Sequence, residues 1–149
     1  MRRTVTTAAW FAAAQFAILL GGAAILQPSA IGSASADDAE TVKQIFAKQL
    51  PNVPGNSMTA FVVEYAPGGK STSHHHSGSV FAYVLEGEIR SQISDGQPAK
   101  VFKAGESFYE PPGSDHLVSE NASATKPAKL LAVFVAADDA VLTAPGVSN

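Results

Sequence analysis

Short segments of alternating apolar and polar residues, separated by turn-forming residues, fill most of the chain after residue 56. Alternation with a period of two predicts half-buried β-strands rather than helices. No long helical pattern lies between successive segments, so a parallel strand–helix–strand fold is disfavoured and an antiparallel sandwich or barrel is favoured. We predict eight strands: Thr59–Tyr65, Ser73–His76, Val80–Leu85, Glu88–Ile93, Ala99–Lys103, Ser107–Glu110, His116–Ser119 and Leu130–Ala136.

One segment that precedes the strands has a helical pattern. Within Asp38–Leu50, residues Ile45, Phe46 and Leu50 follow helical spacing, and Pro51 would end a helix there. We therefore predict a short N-terminal helix within a lead-in over residues 37–56. A β-barrel over residues 57–138 and a C-terminal tail over residues 139–149 would follow.

The first 36 residues have the composition of a secretory signal peptide. Arg2 and Arg3 are followed by an apolar stretch from Ala8 to Leu26 and by a small-x-small site at residues 34–36. These features are typical of an exported precursor. We expect cleavage near Ala36-Asp37 and a periplasmic or secreted mature protein. The alternative is a retained anchor, because roughly 20 apolar residues suffice to span a bilayer.

The composition excludes several classes of function. The chain has no cysteine, which rules out disulfides, thiolate metal ligands and thiol nucleophiles. Its formal net charge is −3, and signal cleavage would remove two arginines and leave −5. Nucleic-acid binding needs a basic surface, which this chain lacks. We expect a small molecule as partner, with neither nucleic acid nor, for the mature form, a membrane.

Three of the four histidines are the main candidates for a functional site. His74 and His76 alternate along a predicted strand and so share a face, whereas His75 points away. His116 begins a later strand. If these three side chains face a barrel interior, they form a site for one divalent ion with open positions, and Fe, Mn, Cu, Ni or Zn would suit it. The alternative for a histidine triplet alone is a solvated loop.

The residues around these histidines resemble the two motifs of the cupin family. The first motif, with its His-x-His pair between two glycines, is matched by Gly68, His74, His76 and Gly87. The second, with Pro-x-Gly before a histidine, is matched by Gly105, Pro111, Gly113 and His116. The resemblance implies an all-β cupin jelly-roll barrel of two antiparallel sheets, and metal binding by the three histidines.

Two positions depart from the cupin pattern. The first motif carries a metal-binding glutamate where this chain has Val80, and the second ends in an asparagine where this chain has Glu120, with Asn121 one residue later. Without the glutamate, three neutral imidazoles leave the full charge of the ion uncompensated, which weakens metal affinity and makes a metal-free pocket an alternative. Gln92 and Glu110 are possible additional ligands.

The resemblance implies either an enzyme or a binding protein. Some cupins with three histidines are iron oxygenases, so we expect a metal-dependent, dioxygenase-like enzyme acting on a small organic substrate. No residue is predicted as a catalytic acid, base or nucleophile. The alternative is a non-catalytic cupin module that binds a metal or small ligand, because the fold alone does not decide function. Small cupins often pair through edge strands, so the resemblance also implies a homodimer.

Overall fold

A computed structural model describes residues 39–146, which contain ten β-strands. They are β1 (Glu40–Gln49), β2 (Asn56–Tyr65), β3 (His74–His76), β4 (Ser79–Glu86), β5 (Glu88–Ile93), β6 (Lys100–Lys103), β7 (Ser107–Glu110), β8 (Asp115–Asn121), β9 (Ala128–Ala137) and β10 (Thr143–Pro145). One sheet has the order β1-β2-β9-β4-β7 and the other β10-β3-β8-β5-β6. The predicted all-β fold of two antiparallel sheets is confirmed.

The predicted signal peptide, residues 1–36, lies outside the described residues. Within residues 39–146, no helix has the length and apolar character needed to cross a membrane.

The predicted helix over Asp38–Leu50 is wrong. Residues Glu40–Gln49 form β1, which pairs with β2 along its length and has a bulge between Gln44 and Phe46. Ile45 and Phe46, whose spacing suggested a buried helical face, remain about half exposed. Tertiary packing of an apolar face supplies most of the stability of a short helix, and no part of residues 39–146 buries Ile45 and Phe46. Backbone pairing along β2 stabilises the strand instead, and β-branched residues favour it.

Part of the predicted C-terminal tail belongs to the second sheet. Thr143–Pro145 form β10, which pairs antiparallel with β3 and places Thr143 opposite His76. A three-residue strand without a regular alternation leaves little signal in the sequence.

The hydrophobic core lies between the inward faces of β4, β5 and β9. The strands alternate as predicted, and their buried residues are Val80, Ala82, Val84, Ile89, Leu130, Ala132 and Phe134. Complete burial of each Val, Ile, Leu or Phe side chain contributes about 1.5–3 kcal/mol. The inward face of β8 is polar instead, with buried His116, Ser119 and Asn121. The site is therefore positioned where an apolar sheet faces a polar strand.

Gly87 shows why the first motif ends in glycine. This residue connects β4 to β5 with a φ of 72°, which a residue with a side chain rarely adopts. A Cβ atom here would also lie 2.7 Å from the carbonyl oxygen of Pro127. Glycine is therefore required for both conformation and space at this turn.

Candidate metal centre

The structure brings together the three predicted histidines. His74 lies opposite His116 in the antiparallel pair of β3 and β8, and His76 follows His74 on the same face. One ligand atom from each ring lies within 4.8 Å of the others. Two nitrogens bonded to one ion at about 2.1 Å can be at most about 4.2 Å apart, so small ring movements suffice for shared coordination. His75 faces away, with its Nδ1 3.9 Å from a carboxylate oxygen of Asp115.

Backbone carbonyls orient the rings of His74 and His76. Nδ1 of His74 lies 2.7 Å from the carbonyl oxygen of Thr72, and Nδ1 of His76 lies 3.0 Å from that of Leu142. A carbonyl only accepts, so Nδ1 carries the hydrogen in each ring and Nε2 keeps its lone pair. This tautomer leaves Nε2 available to a metal, with the other ring nitrogen anchored.

Ser91 orients the third ring, and sequence reasoning missed it. Its hydroxyl lies 2.8 Å from Nε2 of His116, and both side chains are buried. Nδ1 of His116 is therefore the nitrogen that faces the other histidines and Glu110. The alternation of β5 could have indicated that Ser91 points inward beside Ile89.

Glu110 contacts two of the three histidines. It is the β7 residue directly opposite Val80 of β4, the position where the family's first motif has its glutamate. Its Oε2 lies 3.0 Å from Nδ1 of His116 and 3.7 Å from Nε2 of His76, and only 3% of the residue is exposed. Two atoms bonded to one ion at about 2.1 Å and at right angles are about 3.0 Å apart. The separations therefore fit donors to a common cation.

The Oε2 atom of Glu110 has no hydrogen-bond partner among the described residues. Nδ1 of His116 lies 3.0 Å from this atom, a close electrostatic contact that lowers the pKa of the carboxyl. Burying a carboxylate oxygen without a partner costs several kcal/mol unless a cation compensates for it. The donor set of three imidazoles and one carboxylate thus fits a divalent transition-metal ion.

The protonation states of this cluster also suit a metal. Burial raises the pKa of the Glu110 carboxyl, but the surrounding histidines more than offset this, so its pKa lies below the usual value. Burial lowers the pKa of His76 below its usual value, although Glu110 opposes the shift. At neutral pH the pair is therefore a carboxylate and a neutral imidazole, which are the forms that bind metals.

The structure does not bring Gln92 to the cluster. Its side-chain amide donates a 3.0 Å hydrogen bond to the carbonyl oxygen of Gln97, within the connection from β5 to β6. Gln92 lines a separate depression, while its neighbour Ser91 occupies the inward position. The period-two pattern of β5 separates these two residues onto different faces.

A bulge accounts for the displaced asparagine of the second motif. Gln92 pairs with Val118 and Ile93 pairs with His116, so Leu117 is an extra residue in β8. Such a bulge shifts the alternation by one residue. His116 and Asn121 consequently both point inward, and Asn121 donates to the carbonyl oxygens of Ala66 and Lys126. The asparagine therefore keeps a buried structural position despite its shift in sequence.

The histidines line a cavity of about 270 Å³ that also contains a group of polar residues that were not predicted. Its apolar wall includes Phe61, Val63, Leu130 and Phe134. We call His74, His76, His116 and Glu110 the histidine end. A second polar group, here called the hydroxyl end, comprises Glu40, Tyr65, Ser71 and Ser119. Ser119 follows His116 by three residues on β8, which corresponds to roughly 10 Å of strand.

Comparison with known proteins agrees with this architecture. Residues 61–134, which include all three histidines and Glu110, match the cupin domain family. The chain belongs to the cupin family. No protein with a curated description matches the sequence.

Several solved structures share the cupin fold with this chain. An uncharacterized conserved protein from Klebsiella pneumoniae with a double-stranded β-helix domain has 21% identity and a TM-score of 0.58, over 78% of this chain and 98% of that one. The DMSP lyase DddQ from Ruegeria pomeroyi has 19% identity and a TM-score of 0.59, over 75% and 55%. The polyketide cyclase RemF from Streptomyces resistomycificus has 18% identity and a TM-score of 0.56, over 74% and 73%. This cupin spans about half the length of the lyase.

Proposed function

We propose that this cupin is a metal-dependent enzyme of the oxygenase type that acts on a small organic molecule. His74, His76 and His116 would hold one divalent ion, and Glu110 would complete the ligand set. The observation that carries the proposal is the buried Oε2 of Glu110, which contacts two of the histidines and has no hydrogen-bond partner among residues 39–146. Structures with the same fold include a lyase and a cyclase, so the fold is compatible with enzymatic function.

Each residue of the site has a distinct part in this proposal. The carbonyls behind His74 and His76 fix the two rings, and Ser91 fixes that of His116. Glu110 would cancel one unit of the ion's charge, the contribution that Val80 cannot make. When bound, the ion would supply Lewis acidity towards a substrate oxygen or, if redox-active, a site for dioxygen chemistry. The apolar wall would exclude water from the bound molecule.

Metal content tests the site, and His75 offers a matched control. Protein purified without a histidine tag should contain about one transition-metal ion per chain by elemental analysis. His116→Ala should contain little metal, whereas His75→Ala removes an outward ring and should retain it. Equal metal in the parent and His116→Ala would contradict the assignment. No metal in the parent after reconstitution with iron, manganese, copper, nickel and zinc would favour the metal-free pocket.

Oxygen consumption separates an oxygenase from a non-catalytic binder. We expect iron-, manganese- or copper-loaded protein to consume oxygen when supplied with a substrate from a panel of small carboxylates, alcohols and phenols. His116→Ala should not. Ligand binding without turnover in every metal form would favour the alternative of a binding module.

We also propose that two copies of this cupin associate through the outer face of the β1-β2-β9-β4-β7 sheet. Paired residues form one apolar row across all five strands: Phe46, Ala60, Val133, Phe81 and Tyr109. Four aromatic rings on this face, those of Phe46, Phe81, Tyr83 and Tyr109, are roughly one third to one half exposed. Together they offer roughly 400 Å². Neighbouring aliphatic side chains extend this area towards the ~800 Å² that each partner contributes to a stable interface.

The mass in solution tests this association. Analytical ultracentrifugation should show a dimer that Phe81→Lys dissociates, because the substitution places a charge in the middle of the apolar row. Arg90→Lys on the outer face of the other sheet serves as control and should not dissociate it. A monomeric parent protein would contradict the proposal.

For location, we propose that residues 1–36 direct export. Protein recovered from the native host should begin at Asp37 by N-terminal sequencing. An intact Met1 would contradict cleavage.

A further inference from the structure

We propose that the hydroxyl end of the cavity is a binding subsite for a hydrogen-bond donor, preferably cationic. The ligand would be a small molecule with a metal-binding oxygen group at one end and an ammonium or hydroxyl group at the other. The location of the metal-binding group rests on the proposed function, whereas the preference for a donor rests on the hydrogen bonds described next.

A continuous chain of hydrogen bonds connects the four residues of the hydroxyl end. The Ser71 hydroxyl donates to Oε1 of Glu40 over 2.7 Å. The Tyr65 hydroxyl lies 2.7 Å from the Ser71 oxygen and 2.9 Å from the Ser119 oxygen. Tyr65 and Ser119 are buried. Three hydroxyl groups therefore connect the carboxylate of β1 to the interior of β8.

The carboxylate fixes the direction of this chain. An ionised carboxylate only accepts, and each hydroxyl has a single hydrogen to donate. Ser71 gives its hydrogen to Glu40, so the contact between Tyr65 and Ser71 requires that Tyr65 donates. Tyr65 then has no second hydrogen, so Ser119 must donate to Tyr65. All three hydrogens point along the chain towards Glu40.

This direction leaves only acceptor capacity on the four residues of the hydroxyl end. The lone pairs of Ser119, the unused lone pairs of Tyr65 and Ser71, and the free oxygen of Glu40 remain available, whereas no hydroxyl hydrogen does. A ligand group that only accepts would meet unpaired oxygens here, which is costly in a partly buried site. A donor would be satisfied, and a cationic donor would gain more.

No basic side chain among residues 39–146 neutralises the charge of Glu40. No lysine or arginine forms an ion pair with Glu40 within the described part of the chain, although its carboxylate lines the cavity. The histidine end has a different preference, because a metal ion there would attract anionic oxygens. The two ends thus select opposite groups of one ligand, within a cavity that also has an apolar wall. A cavity of about 270 Å³ lies just below the range of roughly 300–1,000 Å³ typical of ligand sites, so the ligand must be small.

Matched ligand pairs test the donor preference. The probes are ω-aminocarboxylates with four to six carbons and the corresponding carboxylates without the amino group, titrated by calorimetry into the zinc-loaded protein. For at least one chain length, we expect the amino compound to bind about tenfold more tightly, the gain typical of a hydrogen bond to a charged group. The absence of any preference at every length would overturn the inference.

Three variants test whether Glu40 and the chain of hydroxyls cause this preference. Glu40→Gln should reduce it below about threefold, because an amide can donate to Ser71 and reverse the chain. Glu64→Gln, the same change on the exposed outer face of β2, should leave it at about tenfold. Tyr65→Phe should reduce it partly, because the Ser119 hydrogen becomes free. An unchanged preference in Glu40→Gln or in Tyr65→Phe would overturn the inference.

Removal of the metal separates this inference from the proposed function. After treatment with a chelator, both members of each pair should bind more weakly, but the amino compound should still bind more tightly. Loss of the preference while carboxylate binding still depends on metal would overturn the donor subsite alone. Carboxylate binding that is insensitive to the chelator would overturn the metal anchor alone.

Discussion

Glu110 and Glu40 project into the same cavity from the two edge strands, β7 and β1, of one sheet, but their surroundings differ. Glu110 is almost fully buried beside three imidazoles, and one of its oxygens has no hydrogen-bond partner among the described residues. Glu40 is partly exposed and accepts a hydrogen bond from Ser71. The first carboxylate thus requires a cation to compensate for its burial, whereas the second orients a chain of hydroxyls without one.

The difference shows that residue type alone does not define a carboxylate's role. The histidines favour the ionised form of Glu110, but its buried Oε2 has no hydrogen-bond partner among the described residues, which indicates room for a cation. A partly hydrated carboxylate is stable alone and exerts its effect through the hydrogen bonds it accepts. The predictions below perturb the two ends in turn and finish with a residue that belongs to neither.

We expect the largest effect at the hydroxyl end, where alkaline solution should lower the free energy of unfolding. Burial raises the pKa of Tyr65 to about 12 from its usual value of 10.0, although its hydrogen bonds to Ser119 and Ser71 oppose the shift. Between these two values the unfolded chain loses the phenol proton while the folded chain retains it, so the free energy of unfolding falls as the pH rises. A two-unit difference corresponds to a loss of up to about 3 kcal/mol.

Urea denaturation at pH 9 and near pH 12 measures this loss. Tyr65→Phe removes the titrating group and should therefore lose less stability over the same interval. A parent and a Tyr65→Phe variant with identical pH dependence would contradict the burial of a protonated phenol.

At the histidine end, Glu110→Gln should lower metal affinity by roughly 10- to 100-fold, the range for interactions that support a metal site. The amide preserves size but removes the negative charge. Chelator competition measures the change, and Glu106→Gln, on the connection before the same strand, serves as control. Equal affinity in Glu110→Gln and the parent would exclude the carboxylate from the metal site.

A paired exchange sharpens this test. Because Val80 and Glu110 lie opposite each other, Val80→Glu combined with Glu110→Val returns the carboxylate to the family's position. This double variant should recover most of the affinity that Glu110→Gln loses. Failure to recover it in a folded double variant would show that the two positions are not equivalent.

Ser91→Ala should have a smaller effect, about tenfold on metal affinity. Ser91 contacts His116 through its hydroxyl, so its loss frees the ring to rotate without removing a ligand. Ser91→Thr retains the hydroxyl and should rescue binding. If neither variant changes affinity, the ring is held by its packing alone.

The regular alternation of β4, β5 and β9 made most of the fold predictable, and the motif spacing indicated the three histidines. The resemblance of residues 68–116 to two motifs added the barrel topology. Glu110 was identified only as one of two candidates, because its position opposite Val80 depends on strand register, which a sequence without an alignment does not define. The register places Glu110 in the site and turns Gln92 away from it.

The hydroxyl end was not predictable, for two separate reasons. Glu40 lay in a segment interpreted as a helix, so the pairing of β1 with β2 and its position beside Tyr65 were missed. Ser71 precedes β3 and contacts Glu40 across 31 residues of sequence, and such contacts leave no local pattern. Long-range hydrogen bonds between common polar residues depend on tertiary structure.

We expect the smallest effect on metal affinity from Gln92, the candidate ligand that does not contact the histidine cluster. Gln92→Ala removes an amide that bonds to Gln97 and does not line the histidine cavity. Metal affinity should therefore change by less than about twofold, since surface substitutions far from a site cost at most about 0.5 kcal/mol. Chelator competition under the conditions used for Glu110→Gln provides the comparison. A loss as large as that of Glu110→Gln would mean that Gln92 also reaches the ion when metal binds. The different positions of Gln92 and Glu110 described above would then not persist in the metal-bound protein.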